Sequence, residues 1–331
     1  MRTPPGPSLA QLLDLRFVVV SGKGGVGRTT VAAALARAAA DAGKRVLIAQ
    51  THSAERLGRM FGRAGDVGDS VVALAPGVDA VNMTPQTALH EYGVMVLRSE
   101  MITRTLFENR AARGFLGAVP GLDAYAMLGK AWWHTTEQVA GRPRYDLVIL
   151  DGPASGHATL MLRIPQSILE AMPKGPLSRD ARAMRELLSD PRRSAMVIVT
   201  LAEELPAREA AELATAARDK LQMPLGPLIV NALPSGDLST PDVAGVLDRI
   251  PATPDDAALD ATLRMAASVR AHRRVADQML ARLAADPGGP IVTLPRLPTA
   301  EMGPSQIGVL SGELREAARG HSAVVAGSGS G

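Results

Sequence analysis

The sequence predicts an α/β fold: a doubly wound, mostly parallel sheet with an inserted helical subdomain. Three observations carry this. Short strands rich in Val, Ile and Leu alternate with helical patterns through the first half of the chain. Those strands are apolar on both faces, as strands covered from both sides must be. A glycine-rich loop, SGKGGVGRTT (21–30), stands between the first strand and the first helix.

Taken in order, RFVVVSG (16–22) reads as a buried strand that ends in the glycine loop. TTVAAALARAAADAG (29–43) reads as an alanine-rich helix stopped by Gly43. KRVLIAQ (44–50) is a second strand, followed by YDLVILD (145–151), SAMVIVTL (194–201), GPLIVNAL (226–233) and PIVTLP (290–295). Between 85 and 143, and again from 160 to 193, strand signals vanish and helical patterns dominate. These two stretches are expected to form a helical subdomain inserted into a single domain spanning residues 1–331. Residues 323–331 are Gly/Ser-rich and read as a disordered tail.

The 331 residues suffice for a substantial core, and 46% hydrophobic with 21% charged content is ordinary for a globular chain. No run approaches the ~18–20 unbroken apolar residues of a membrane span. The most apolar helical stretch, VAAALARAAA, is interrupted by Arg37 and followed by Asp41. MRTPPGPSLA lacks the apolar region of a signal peptide, so a cytoplasmic location without stable membrane insertion is expected. The absence of cysteine excludes disulfides, Cys-based zinc sites and iron–sulfur clusters. The six histidines never fall in HxxxH or HExxH spacing. A net charge of +3, with 31 Arg against 5 Lys and only nine aromatic residues, includes no basic run interleaved with aromatics. Nucleic acid is therefore not an expected partner.

Chemistry concentrates in the loop. Gly22-x4-Gly27-Arg28-Thr29 keeps the spacing of a phosphate-binding P-loop, with arginine where the terminal lysine is usual. Glycines let backbone N–H groups converge on phosphate oxygens at a helix N-terminus. A hydroxyl such as that of Thr29 is a ligand for Mg2+. Gly22, Lys23, Gly24, Gly25, Val26, Gly27, Arg28, Thr29 and Thr30 are the candidate nucleotide-binding residues. Asp151 closes the apolar strand YDLVILD, a position from which a carboxylate meets Mg2+ directly or through water. Thr29 and Asp151 are thus the candidate metal residues, with ATP and Mg2+ the expected cofactors. Plainer roles exist for each: a glycine turn with no ligand, a solvated loop lysine at Lys23, a strand-end cap at Asp151.

With Lys23 at its start, KGGVGRTT resembles the deviant Walker A loop of one P-loop subgroup. That subgroup includes arsenite-transport ATPases, tail-anchored-protein-targeting ATPases, partition and septum-positioning ATPases, and nitrogenase iron protein. The resemblance implies that Lys23 reaches across a dimer interface to the nucleotide phosphates of the other subunit. DGPASGHATLMLRIP (151–165) is similar to the family's switch II, matching it at Asp151, Gly156, His157 and Pro165. VTLAEELPAREA (199–210) resembles a segment of the arsenite-transport and targeting branch. In LIVNALPSG (228–236), Asn231 matches an asparagine whose amide reads the adenine edge, the plainer role being a turn asparagine. LPRLPTAEMGP (294–304), which includes Pro295, resembles the loop that covers the base. These matches span nearly the whole chain and favour the ArsA-like branch over partition ATPases, which lack the VTLAEELP segment and the long helical insert. Nitrogenase-type chemistry is excluded because its cluster needs cysteines.

The sequence also departs from the family. Arg28 is longer, planar and forked, and does not replace a lysine ammonium cleanly among phosphates. VLIAQTHSAERLGRMFG (46–62) resembles the second strand and switch I, but His52 stands where the family has the aspartate that positions the attacking water. Ser53 and Glu55 replace the Pro and His that follow. The catalytic candidates are therefore Lys23, Arg28, Asp151 and a degenerate switch I residue, His52. The cysteines that bind metalloid, or hold the dimer zinc, in family members are absent. Together these features point to an ATP-binding member that acts in a homo- or heterodimer and hydrolyses poorly, the pseudo-ATPase subunit of a heterodimer with an intact paralogue that carries the lysine.

The insert MITRTLFENRAARGFLGAVPGLDAYAMLGKAWWHTTE (101–137) carries Phe107, Phe115, Tyr125, Trp132 and Trp133, and eight of the fourteen methionines lie between 81 and 196. Met-rich helices can form adaptable grooves for apolar clients. The resemblance to targeting ATPases implies a hydrophobic protein segment as a client. Core packing of the subdomain, or an interface patch at Lys130–His134, are the other roles open to these residues.

Overall fold

A computed structural model of the chain describes residues 6–51, 56–97, 101, 121–234, 257–285 and 290–320. After a short helix α1 (Leu9–Leu12), the chain enters β1 (Phe17–Gly22), crosses through α2 (Arg28–Asp41) and returns as β2 (Val46–Thr51). A five-residue helix α3 (Arg56–Met60) leads to a hairpin of β3 (Val72–Ala75) and β4 (Val78–Met83), then to α4 (Pro85–Leu97). Helix α5 (Leu122–Thr136) precedes a two-residue ribbon, β5 (Gln138–Val139) and β6 (Arg142–Pro143), and the central strand β7 (Leu147–Ala154). Two helices, α6 (Ser155–Ala171) and α7 (Pro176–Ser189), separate β7 from β8 (Ser194–Leu201). The chain continues through α8 (Glu204–Ala216), β9 (Leu225–Leu233), the long α9 (Ala257–Ala285), β10 (Ile291–Pro295) and α10 (Pro304–Ala318).

Eight strands form one sheet in the order β10-β9-β8-β1-β7-β2-β4-β3. All neighbours run parallel except the edge pair β3–β4. The expected doubly wound α/β architecture is thus present. Alternation within β1 shows why its apolar run forms a central strand. Val18 and Val20 face one core with α2 and α10, while Phe17 and Val19 face the other with α4, α5, α6 and α7. Each such fully buried side chain contributes about 1.5–3 kcal/mol of transfer free energy. The alanines of α2 are buried on nearly every side, which lets that helix lie close to both the sheet and α10.

On the opposite layer, Tyr92 of α4 and Tyr125 of α5 pack edge to face with ring centroids 5.2 Å apart. The Tyr92 hydroxyl donates to the Tyr125 oxygen at 3.1 Å, and Tyr125 donates to the Leu177 carbonyl of α7 at 3.1 Å. Burial pushes the Tyr125 hydroxyl up to about 12, so it stays a donor throughout the physiological range. Three helices of the layer are tied by this pair.

The structure differs from the sequence reading in three places. VALA and VDAVNM form β3 and β4, joined by a turn in which Gly77 has φ +77°. The stretch 85–143, expected to hold no strand, contains the β5–β6 ribbon, whose two turn residues, Ala140 and Gly141, have φ of 51° and 74°. Its strands are exposed and two residues long, so they carry no apolar pattern to read. Lastly, β7 runs to Ala154, because Ala154 pairs with Gly22, so Asp151 lies within the strand. Among the described residues no helix is long and apolar enough to cross a membrane. His52, Ser53, Glu55, Phe107, Phe115 and the tail 323–331 lie outside the described residues.

Candidate functional site

The C-terminal ends of β1, β7, β8 and β9 converge where the sheet order reverses, the place at which open α/β sheets bind ligands. Here β1 ends and the glycine loop turns into α2. Gly27 is the N-cap of α2 with φ +90°, a left-handed conformation that a side chain strains. It is also crowded: a Cβ there would overlap the Asn231 amide. Gly22 is held equally close to the Val199 carbonyl of β8. At the apex, Gly24 and Gly25 are open to solvent, while Val26 is buried beneath them. The loop is an open concave run of backbone at a helix N-terminus, with no apex side chain blocking it.

Thr29 and Asp151 are brought together. The Thr29 hydroxyl donates to Asp151 Oδ2 at 2.7 Å. Gln50 Nε2 donates to the same oxygen at 3.3 Å, and the Thr51 hydroxyl donates to the Asp151 carbonyl at 3.1 Å. Asp151 is 4% exposed, and burial raises its pKa above the ordinary value against the pull of Thr29, Gln50 and the Arg28 charge. A buried carboxylate beside a hydroxyl, at the foot of a phosphate-type loop, is a donor set that fits a hard divalent cation. Among the described residues no group of three or more His, Cys, Asp or Glu gathers to hold a metal. The fit is thus to an ion that takes few protein ligands and completes its shell with phosphate and water, as Mg2+ does. Thr30 is buried behind Thr29, on the first turn of α2.

Arg28 has its partner on the neighbouring strand β7. Its Nη1 donates to the Gly152 carbonyl, the residue that follows Asp151. Burial lowers its pKa, with Asp151 opposing, and the guanidinium stays charged at neutral pH. Lys23 is paired within its own chain: its Nζ lies 2.8 Å from Glu209 Oε1 on α8, with the two side chains 28% and 30% exposed. Such a pair contributes at most about 1 kcal/mol. Replacing Glu209 by Ala is therefore expected to shift the urea unfolding free energy by less than about 1 kcal/mol while leaving Lys23 free to swing. A larger loss would mean that the pair is a structural element.

Asn231 sits at the C-terminal end of β9, 9% exposed, with Nδ2 donating to the Val26 carbonyl at 2.9 Å. Its side-chain oxygen is the remaining acceptor. Pro295 ends the neighbouring strand β10 opposite Leu233, so the two residues expected near a base lie on adjacent strands. Gln50 and Glu209 are site residues that the sequence reading did not single out. Gln50 had a signal, as a polar side chain on an otherwise apolar strand. Glu209 lay inside a quoted motif, and nothing local distinguished it from Glu203 and Glu204.

A groove of about 1100 Å3 opens beside this site. Arg28, Thr51 and Pro153 line its phosphate-loop end; Met127, Leu160 and Ile164 line its apolar length.

Comparison with known proteins decides the family. The family model for anion-transporting ATPases matches residues 15–179, about half of the chain. The chain belongs to the anion-transporting, ArsA-like ATPase family. The ATPase BagA of Mycobacterium tuberculosis is 26% identical over 247 residues, covering 71% of this chain and 70% of that protein. An arsenical pump-driving ATPase of Escherichia coli is 26% identical over 216 residues, 59% of this chain and 36% of the pump ATPase. The ATPase GET3 of Kluyveromyces lactis is 28% identical over 166 residues, 48% of each protein. The matched span of this ArsA-like ATPase includes the glycine loop, Thr29 and Asp151, and family membership implies nucleotide binding.

Proposed function

We propose that the chain binds ATP with Mg2+ at the glycine loop, hydrolyses it slowly on its own, and works in a dimer with a second subunit of the same kind. The observation that carries the reading is the direct Thr29–Asp151 pairing combined with Arg28 turned to the Gly152 carbonyl. The first supplies what a phosphate-bound cation needs from the protein. The second removes the positive point charge that normally reaches the terminal phosphates, and phosphoryl transfer depends on positioning and charge. His52, where the family places its water-positioning aspartate, adds to the impairment. In this reading Asn231 offers its side-chain oxygen to the adenine amino group, Pro295 borders the base, and Lys23 leaves Glu209 to serve the other subunit's nucleotide.

The chain is expected to bind ATP with a Mg2+-dependent affinity but to turn it over slowly. The pair Arg28→Lys with His52→Asp is expected to raise turnover by at least about tenfold, more than either change alone. Nucleotide affinity by calorimetry and phosphate release by the purified chain check this. Turnover at a rate typical of the family by the unaltered chain, abolished by Arg28→Ala, would overturn it.

The apolar groove supports a second reading, a targeting or chaperone module that holds an apolar helix. Leu160 is 65% and Met172 is 46% exposed along it. Capture of a synthetic hydrophobic helix with and without ATP separates the two. Capture that is independent of ATP favours a binding module over a nucleotide-driven one.

A further inference from the structure

The phosphate loop and the segment after Asp151 are joined by direct hydrogen bonds. Arg28 donates to the Gly152 carbonyl, and the buried Ser21 hydroxyl donates to the next carbonyl, that of Pro153, at 3.2 Å. Gly152 lies close against β1, since a Cβ there would come 3.2 Å from the Val20 carbonyl oxygen. Three residues after Gly152, α6 begins at Ser155, and it carries His157, Leu160, Met161 and Ile164 into the groove. Arg28 lines the same groove. A single side chain therefore connects the nucleotide loop, the switch II backbone and the groove wall.

The chemistry of the residue matters here. A lysine ammonium at this position is a compact charge suited to phosphate oxygens. Arginine carries a longer, directional fork, and a charged donor to a carbonyl makes a stronger hydrogen bond than a neutral one. Of the two bonds to the Gly152 and Pro153 carbonyls, the Arg28 bond is the charge-assisted one, and its partly desolvated setting weakens competition from water.

We infer that Arg28 is a positioning residue that fixes switch II and the start of α6 in one arrangement whether or not a γ-phosphate is present, so that the groove does not respond to the nucleotide state. This rests on the nucleotide and groove assignments proposed above. The arginine substitutes an internal bond for the contact that a γ-phosphate would otherwise make with switch II. The chain then presents a constant groove while nucleotide serves as a structural ligand.

Hydrogen exchange across residues 155–168 tests it, on the full chain without nucleotide, with ADP–Mg2+, and with a non-hydrolysable ATP analogue and Mg2+. Calorimetry run in parallel establishes which states are saturated. In the unaltered chain, protection of this segment is expected to agree within about twofold across the three states, because the charge-assisted bond persists in all of them. Arg28→Lys is expected to lose about tenfold protection without nucleotide and to recover it only with the triphosphate analogue. Arg28→Met, which keeps the stem and removes the donor, is expected to lose protection of residues 155–168 in all three states while helices distant from the loop, such as α7, keep theirs. A tenfold rise in protection of the unaltered chain on adding the triphosphate would overturn the inference. So would unaltered protection in nucleotide-free Arg28→Met. If calorimetry detects no nucleotide binding, the nucleotide assignment fails by itself, and the nucleotide-free comparison of Arg28→Met with the unaltered chain still decides the tether.

Discussion

Replacing Asp151 by Asn is expected to stabilise the nucleotide-free chain while abolishing its response to Mg2+–ATP. Asp151 is buried on the central strand β7, where desolvation raises its pKa and outweighs the Thr29 and Gln50 hydrogen bonds and the Arg28 charge. When ionised, Asp151 is thus a carboxylate charge that its own surroundings disfavour, a situation that a bound divalent cation relieves. Asparagine keeps an acceptor for the Thr29 hydroxyl and removes the charge. A gain of about 1 kcal/mol corresponds to roughly 2 °C in melting temperature for a chain of this size. The pH dependence gives the sign. A carboxylate whose folded pKa is raised lowers stability as pH climbs from the ordinary value of 3.8 through the folded value. The variant's advantage should thus be largest at neutral pH and should close as pH falls toward 3.8. Ligand at a hundredfold excess over its Kd stabilises by about 2.7 kcal/mol, a shift that the unaltered chain should show and the variant should lose. Melting curves at several pH values, with and without Mg2+–ATP, read all of this. A ligand-induced shift of normal size in Asp151→Asn would remove Asp151 from the metal site.

The same residue shows how far sequence alone reaches. Thr29 and Asp151 stand 122 positions apart, yet both were recognisable from their local patterns: a hydroxyl after a glycine loop, and a carboxylate on an apolar strand. The sheet then brings them together, because β1 and β7 are neighbours with Val20 opposite Asp151. Strands such as β1, buried on both faces, announce themselves by uninterrupted Val, Ile and Leu. The β5–β6 ribbon does not, since its order comes from two left-handed turn residues and not from burial. Side-chain partners were the least legible feature. Arg28 is visible as a substitution, but its acceptor is a backbone carbonyl that exists as a neighbour only once β1 and β7 are paired. Lys23 and Glu209 meet because β8 lies beside β1, carrying α8 to the loop. Neither acceptor leaves a trace in residue spacing.

Gly27→Ala is expected to destabilise the chain by about 2–4 kcal/mol and to weaken ATP binding by at least about tenfold, through two separable causes. The first is conformational. At φ +90° the N-cap of α2 sits in a region that alanine adopts only with strain, about 1–2 kcal/mol. The second is steric. The added methyl would overlap the Asn231 amide, so either the loop shifts or the Asn231–Val26 hydrogen bond breaks. Breaking that bond strands a buried carbonyl, at a cost of about 1–3 kcal/mol. A double-mutant cycle with Asn231→Ala divides the effect. Asn231→Ala alone already loses the Val26 contact, so adding Gly27→Ala to it should then cost only the backbone strain. The two changes are therefore expected to be sub-additive by about 1 kcal/mol, as residues in direct contact are. Urea unfolding of the four proteins measures the coupling, and nucleotide affinity of the same set reports whether the cradle survives. Strict additivity would mean that the loop accommodates the methyl by moving away from β9. Asn231 would then lose its role in holding the phosphate loop against the sheet.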